Sequence, residues 1–180
     1  MQKILIIGSP GSGKSTFGKY LSEKLNIPLV HLDKLFWKEG WTERDRDEFD
    51  SLLLKELKKD NWIIDGNYAR TLDLRLKYAD MVIFFDYNRF LCLWRVLKRV
   101  ITNYGKVRID MSDGCRERFD WEFMKYVYMF NDKQRADIYK KLSTNPDIKV
   151  IIVNNRKRFK KLKKDLMLCI ATKHIVTPFL

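Results

Sequence analysis

Lys3-Ile4-Leu5-Ile6-Ile7-Gly8-Ser9-Pro10-Gly11-Ser12-Gly13-Lys14-Ser15-Thr16 runs from a short apolar stretch through a glycine-rich turn into a segment of helical period. Positions 8–15 fit G-x-x-x-x-G-K-[ST], in the strand-before, helix-after setting that this pattern requires. Glycines let backbone N–H groups turn inward around phosphate oxygens, and the helix N-terminus adds the positive end of its dipole. The expected nucleotide-binding residues are therefore Gly8, Ser9, Pro10, Gly11, Ser12, Gly13, Lys14, Ser15 and Thr16. Lys14 is expected to reach the outer phosphates and Ser15 to ligate Mg2+ through its hydroxyl.

Outward from this loop, the apolar runs 27–32, 61–65, 81–86 and 149–153 have strand length and join 3–7 as five expected strands. Helical patterns fall at about 14–25, at about 43–59 after Thr42, and at about 88–104. Alternation of this kind implies a parallel α/β sheet. The 88–148 interval holds more chain than one crossover needs. An insertion is expected there, leaving the helical pattern near Asn103-Tyr104-Gly105 and regaining it at 121–130 and 132–142.

The 180 residues and 46% hydrophobic content fit one domain, 1–180, and argue against disorder. No apolar run approaches the roughly 20 residues of a membrane helix, so neither an anchor nor a signal peptide is expected. Cys92, Cys115 and Cys169 are odd in number and form no C-x-x-C pair, which suggests a reducing, cytoplasmic setting. The net charge of +13 is uneven: residues 1–88 balance, and the whole excess lies in 89–180. Such a basic half implies a polyanionic partner, whether nucleotide phosphates, nucleic acid or an acidic membrane surface. Its densest part, Arg156 to Lys164, also has the spacing of an exposed, solvated helix.

Neither strand-end carboxylate, Asp65 or Asp86, is followed by a Glu to orient water. That favours phosphoryl transfer to a bound acceptor over hydrolysis. Asp65 is the expected magnesium-side carboxylate, with capping of the turn at Gly66 as its alternative role. Arg95 and Arg99 share a helix face, and Arg108, Arg116 and Arg118 sit in the insertion, as a basic lid over phosphates would require; the alternative for any one of them is a surface position or an ion pair with Asp110, Asp113, Glu117 or Asp120. Asp33, at the carboxyl end of the second strand and before Trp37 and Trp41, is the candidate for an acceptor hydroxyl or, equally, a helix cap. His31 and His174 lack partners at ligand spacing, and Cys115 reads as a loop residue rather than a nucleophile.

Three further blocks carry a resemblance: HLD at 31–33, WIIDGNYARTLDLRLKYADMVIFFD at 62–86 and GKVRIDMSDGCRERFDWEF at 105–123. Together with the loop they resemble the adenylate-kinase-like P-loop kinases and, more narrowly, the DNA topology modulation protein family, over almost the whole chain. The resemblance implies a three-layer P-loop NTPase fold with a five-stranded parallel sheet of order 2-3-1-4-5, and a helical lid insertion at about 104–130 between strands 4 and 5. It implies ATP and Mg2+ as cofactors and a nucleotide or small-molecule kinase activity. The alternative is a nucleic-acid-binding, DNA topology modulation protein with a regulatory nucleotide site. Asp65-Gly66 is similar to the Asp-Gly pair of nucleoside monophosphate kinases, whose following arginine binds the acceptor phosphate. Here Arg70 falls one position late, which leaves Arg75, or an acceptor without phosphate, as the alternatives. Arg95 and Arg99 are placed like the arginine pair at a nucleotide kinase's lid hinge, and with Lys14 and Arg108 they are the expected catalytic set. Substrate binding is expected at Asp33, Gly66, Arg70 and Arg75.

Overall fold

A computed structural model describes residues 2–171, with side chains placed as far as Leu168. Cys169, His174 and the apolar stretch Ile170–Leu180 fall outside the described side chains. The chain runs β1 (Gln2–Gly8), α1 (Lys14–Leu25), β2 (Leu29–His31), α2 (Leu32–Phe36), β3 (Trp37–Lys38), β4 (Thr42–Glu43), α3 (Arg46–Leu57), β5 (Asn61–Asp65), α4 (Leu72–Leu76), β6 (Met81–Phe85), α5 (Arg89–Asn103), α6 (Trp121–Lys133), α7 (Arg135–Ser143), β7 (Lys149–Val153) and α8 (Arg156–Ala171). The main sheet has the order β2-β5-β1-β6-β7, and every pairing in it is parallel. Numbered among themselves, these five strands stand 2-3-1-4-5, the expected order.

Strand residues alternate between two cores, as the pleat dictates. Ile4, Ile6, Ile63, Ile83 and Phe85 pack with Phe17 and Leu21 of α1 and with Val96 of α5. Leu5, Ile7, Trp62, Ile64, Val82 and Phe84 pack on the opposite face with Phe49 and Leu53 of α3 and with Ile138 of α7. With both faces covered, Leu5, Ile6 and Ile7 have no exposed surface. That is why the strands read as continuous apolar runs rather than alternating ones.

The structure corrects three boundaries. The run 27–32 is a strand only over Leu29–His31, because Leu32 turns into α2 and is itself fully buried. Helix α3 is capped by Asp45, whose carboxylate accepts from the Asp47 N–H at 2.9 Å. Thr42 plays no part in that cap, being paired with Lys38 in the small β3–β4 hairpin. The insertion divides at Asp120: residues 104–120 carry only an isolated bridge between Val107 and Arg116, whereas 121–130 belong to α6 and bury Met124, Val127 and Phe130 in the cores. Among the described residues no helix is long and apolar enough to cross a membrane.

Helix α5 supports the glycine-rich loop from below. Gly11 adopts φ +76°, and a Cβ there would stand under 3.0 Å from the Cys92 carbonyl oxygen and 2.9 Å from Val96 Cγ2. Gly11→Ala combines left-handed strain with a backbone clash, so we expect a loss of about 2–4 kcal/mol in urea unfolding. A loss below about 0.5 kcal/mol, the scatter of neutral surface changes, would show that loop and helix are not held this tightly.

Candidate active site

The carboxyl ends of β1, β2 and β5 meet at one edge, because Ile6 pairs with Asp65 and Asp65 with His31. That edge is the expected ligand crevice of an open parallel sheet. It opens into a cleft of about 1360 Å³. The glycine-rich loop forms the floor, with Lys14 Nζ donating to the Ser9 carbonyl at 3.0 Å. Gly13, at φ +97°, faces open space with nothing within 4 Å of a would-be Cβ, so the backbone there is bare toward the cleft. Ser15 and Thr16 follow on the same wall.

Asp65 is buried. One carboxylate oxygen, Oδ2, contacts His31 Nδ1 at 3.1 Å, while Oδ1 is buried without a hydrogen-bond partner. Burial raises its pKa, but the His31 contact, the Lys14 charge and the Ser15 hydroxyl outweigh burial and hold it below the usual aspartate value. An ionised carboxylate with an unused oxygen beside a serine hydroxyl fits a hard cation that also shares nucleotide oxygens. Among the described residues no group of three or more His, Cys, Asp or Glu side chains could hold a metal by itself.

Asp33 lies half-buried on the acceptor side, where Tyr68 Oη donates to its Oδ1 at 2.8 Å. Burial pushes its pKa up, nearby Asp65 adds to the rise, and Tyr68, Lys14 and Arg108 only partly offset it. The capping alternative is not realised: Asp33 lies inside α2, whose N-cap position is His31, and that helix has no side-chain cap.

The arginines separate into two groups. Arg95 donates to the Ser12 carbonyl at 3.4 Å and lies over the Tyr87 ring. Arg99 and Arg108 take separate oxygens of Glu117, at 3.2 and 2.8 Å. Glu117 is only 6% exposed and knots the lid segment to α5. Burial and the neighbouring Arg108 charge pull the Arg99 pKa down against the two local carboxylates, Glu117 and Asp110. Arg95, Arg99, Arg108 and Arg118 all line the cleft, together with Arg156 and Lys163 of α8. The other basic residues of the 156–164 cluster are exposed on α8, as a solvated helix face is.

Arg70 and Arg75 do not reach the cleft. Arg70 forks onto Asp50 at 2.8 and 2.6 Å on the outer surface. Arg75 is fully buried, and its guanidinium donates to the carbonyls of Thr71, Gly66 and Tyr68. Burial brings its pKa down to about 9. Arg75 therefore fixes the 66–71 turn, and Gly66 contributes backbone: a Cβ there would strike Leu32 at 2.7 Å. Sequence reading offered Glu117 only as one of four ion-pair partners for the arginines of α5 and the lid, and it missed the roles of His31 and Tyr68 and the Asn67–Gln134 contact of 2.6 Å. His31, Tyr68 and Glu117 carried a signal, an ionisable type within a quoted block.

The 104–120 segment closes onto the β3–β4 hairpin. Ser112 Oγ donates to the Trp37 carbonyl at 2.5 Å, and Trp41 Nε1 to the Arg116 carbonyl at 3.0 Å. Cys115 is buried in this seam, its sulfur accepting from the Trp41 N–H and donating to the Lys38 carbonyl.

Residues 4–101 match the AAA domain family AAA_18. The chain belongs to this family. The AAA_18 match covers β1 to most of α5 and so includes the loop, Asp33 and Asp65. The chain is 52% identical over 46 residues to a shikimate kinase of Sulfurihydrogenibium sp. (strain YO3AOP1), 25% of this chain and 28% of that one. It is 26% identical over 131 residues to an adenylate kinase of Rickettsia africae (strain ESF-5), 58% and 61% respectively. It thus spans less than two thirds of either relative. The crystal structure of shikimate kinase from Bacteroides thetaiotaomicron superposes with a TM-score of 0.55 at 20% identity, over 94% of this chain and 98% of that one. The fold of this AAA_18 member is that of the P-loop kinases.

Asp33 and Asp65 act oppositely on stability, because the pKa of the first is raised and that of the second lowered. A raised folded-state pKa, as at Asp33, means stability present below the ordinary aspartate value and lost as pH rises through the raised one. Asp33→Asn is therefore expected to raise the Tm at pH 7, with the gain vanishing in scans taken below the ordinary aspartate value. An unchanged Tm at pH 7 would show that the Asp33 carboxylate carries no burial penalty.

Proposed function

We propose that the protein is an ATP-dependent phosphotransferase acting on a small hydroxylated acceptor. The observation that carries this reading is the convergence of Lys14, Asp65, Asp33 and the arginines of α5 and the lid on one covered cleft. The family membership and the kinase names of the relatives support it.

In this mechanism the loop N–H groups and Lys14 hold the β- and γ-phosphates. Ser15 and Asp65 are the residues that would hold Mg2+, which supplies charge neutralisation on those phosphates when bound. Asp33 accepts the proton of the acceptor hydroxyl, and its raised pKa makes it the better base near neutrality. The acceptor oxygen bonds to the γ-phosphorus as the bond from phosphorus to the β,γ-bridging oxygen breaks, leaving ADP. Arg95, Arg99 and Arg108 neutralise charge on the group in flight, while the docked lid excludes water.

The arrangement favours this reading over the nucleic-acid alternative, because Arg95, Arg99, Arg108 and Arg118 line the cleft. The narrower likeness to the DNA topology modulation proteins then describes a phenotype rather than a contact with DNA.

ADP release coupled to product formation tests this reading. Lys14→Ala is expected to abolish transfer with the fold retained, and Asp33→Asn to cut kcat by about 10²–10⁴. Arg95→Ala is expected to lower kcat by about 10³ while barely altering ATP binding. Turnover retained by Lys14→Ala would overturn the assignment.

A further inference from the structure

The acceptor end of the cleft has a composition unlike its phosphate end. Both arginines that the sequence offered as a clamp for an acceptor phosphate are engaged elsewhere, Arg70 on Asp50 and Arg75 on three carbonyls. Of the cations that act on Asp33, Lys14 belongs to the phosphate end and Arg108 is already held by Asp110 and Glu117; Arg118, elsewhere in the cleft lining, lies over the Trp41 ring. Asp33, Asp65, Asp110 and Asp120 all line the cleft, so an anionic acceptor placed at Asp33 would be brought against carboxylates.

Aromatic surface takes the place of charge. Phe36, Trp37 and Trp41 form a wall of rings at edge-to-face angles of 87° and 75°, and Phe123 and Tyr126 of α6 line the same cleft. Beside them, Asn67 Nδ2 donates to Gln134 Oε1 at 2.6 Å. That contact joins two amides that both line the cleft and together carry hydrogen-bond donors and acceptors. The Tyr126 hydroxyl stands within reach of both amides. Amide pairs of this kind match the donor and acceptor edge of a heteroaromatic base, and aromatic rings match its face.

We propose that the acceptor is a nucleoside, an uncharged base stacked on the Phe36–Trp37–Trp41 wall and read by Asn67 and Gln134, with a sugar hydroxyl presented to Asp33. This rests on the phosphotransferase reading for its chemistry, but nucleoside binding is measurable without ATP. The nucleoside needs no phosphate contact, which is consistent with the engagement of Arg70 and Arg75.

The test is a titration of the protein with adenosine, guanosine, cytidine and uridine, their 5′-monophosphates and shikimate, followed by tryptophan fluorescence, with ATP binding measured separately. Saturable binding of at least one nucleoside is expected, about tenfold or more tighter than its monophosphate. Gln134→Ala should weaken that binding about tenfold or more with ATP affinity unchanged. Gln134→Glu, which keeps the length but removes the donor, serves if the alanine variant does not fold. A monophosphate or shikimate bound more tightly than every nucleoside, no nucleoside bound at all, or a Gln134 variant with unaltered nucleoside affinity would each overturn the proposal. Failure to bind ATP would instead overturn the phosphotransferase reading alone.

Discussion

A charged carboxylate taken out of water at the end of the central sheet has to be answered by neighbours, and Asp65 is that carboxylate. It is 5% exposed. Its register partners put His31 of β2 on one side and the end of β1 on the other, while the loop that leaves β1 returns Lys14 and Ser15 to it. The same group thereby fixes the mutual height of three strand ends and the start of α1. Its neighbours more than offset the cost of burial, and its Oδ1, without a hydrogen-bond partner, gives this end of the cleft its polarity.

A second buried acid organises the other half. Glu117 is anchored by its backbone to Gly105 and Lys106, and its two oxygens hold Arg99 of α5 and Arg108 of the lid. Two guanidinium groups placed so close repel one another, and a shared carboxylate makes their proximity tolerable. Together with Arg95 on the Ser12 carbonyl, this keeps positive charge fixed above the loop before any phosphate arrives. Fixed charge of this kind does not have to reorganise as charge develops on a transferred group. The opposite edge of the 104–120 segment rests on the β3–β4 hairpin through Ser112, Cys115 and Arg116, so one segment joins α5 to the hairpin across the cleft.

The stability and chemistry of Asp33 pull in opposite directions. Its half-buried carboxylate is unfavourable to the folded state near neutrality, and that same environment raises its pKa toward the range useful to a base. Tyr68 holds its orientation. Residues of this type, costly to the fold and central to the cleft, mark where local sequence rules yield to function.

Periodicity and one motif were enough to determine the five parallel strands, the phosphate loop, and the helices α1, α3, α5, α6 and α7, because strands buried on both faces and amphipathic helices are local patterns. The order of the strands, and the placement of Arg95 and Arg99 at a lid hinge, came from the likeness to known kinases. Only the tertiary structure decided what each arginine touches. Arg70 and Arg75 sit in the same short stretch of sequence as Gly66, yet one forks onto Asp50 at the surface and the other binds backbone carbonyls. Glu117 gains its role from partners 18 and 9 positions away, on α5 and in the lid. Asn67 meets Gln134 across 67 residues of chain. Side-chain direction at a turn and pairing across long loops depend on how layers pack, and no local pattern of residue types encodes that.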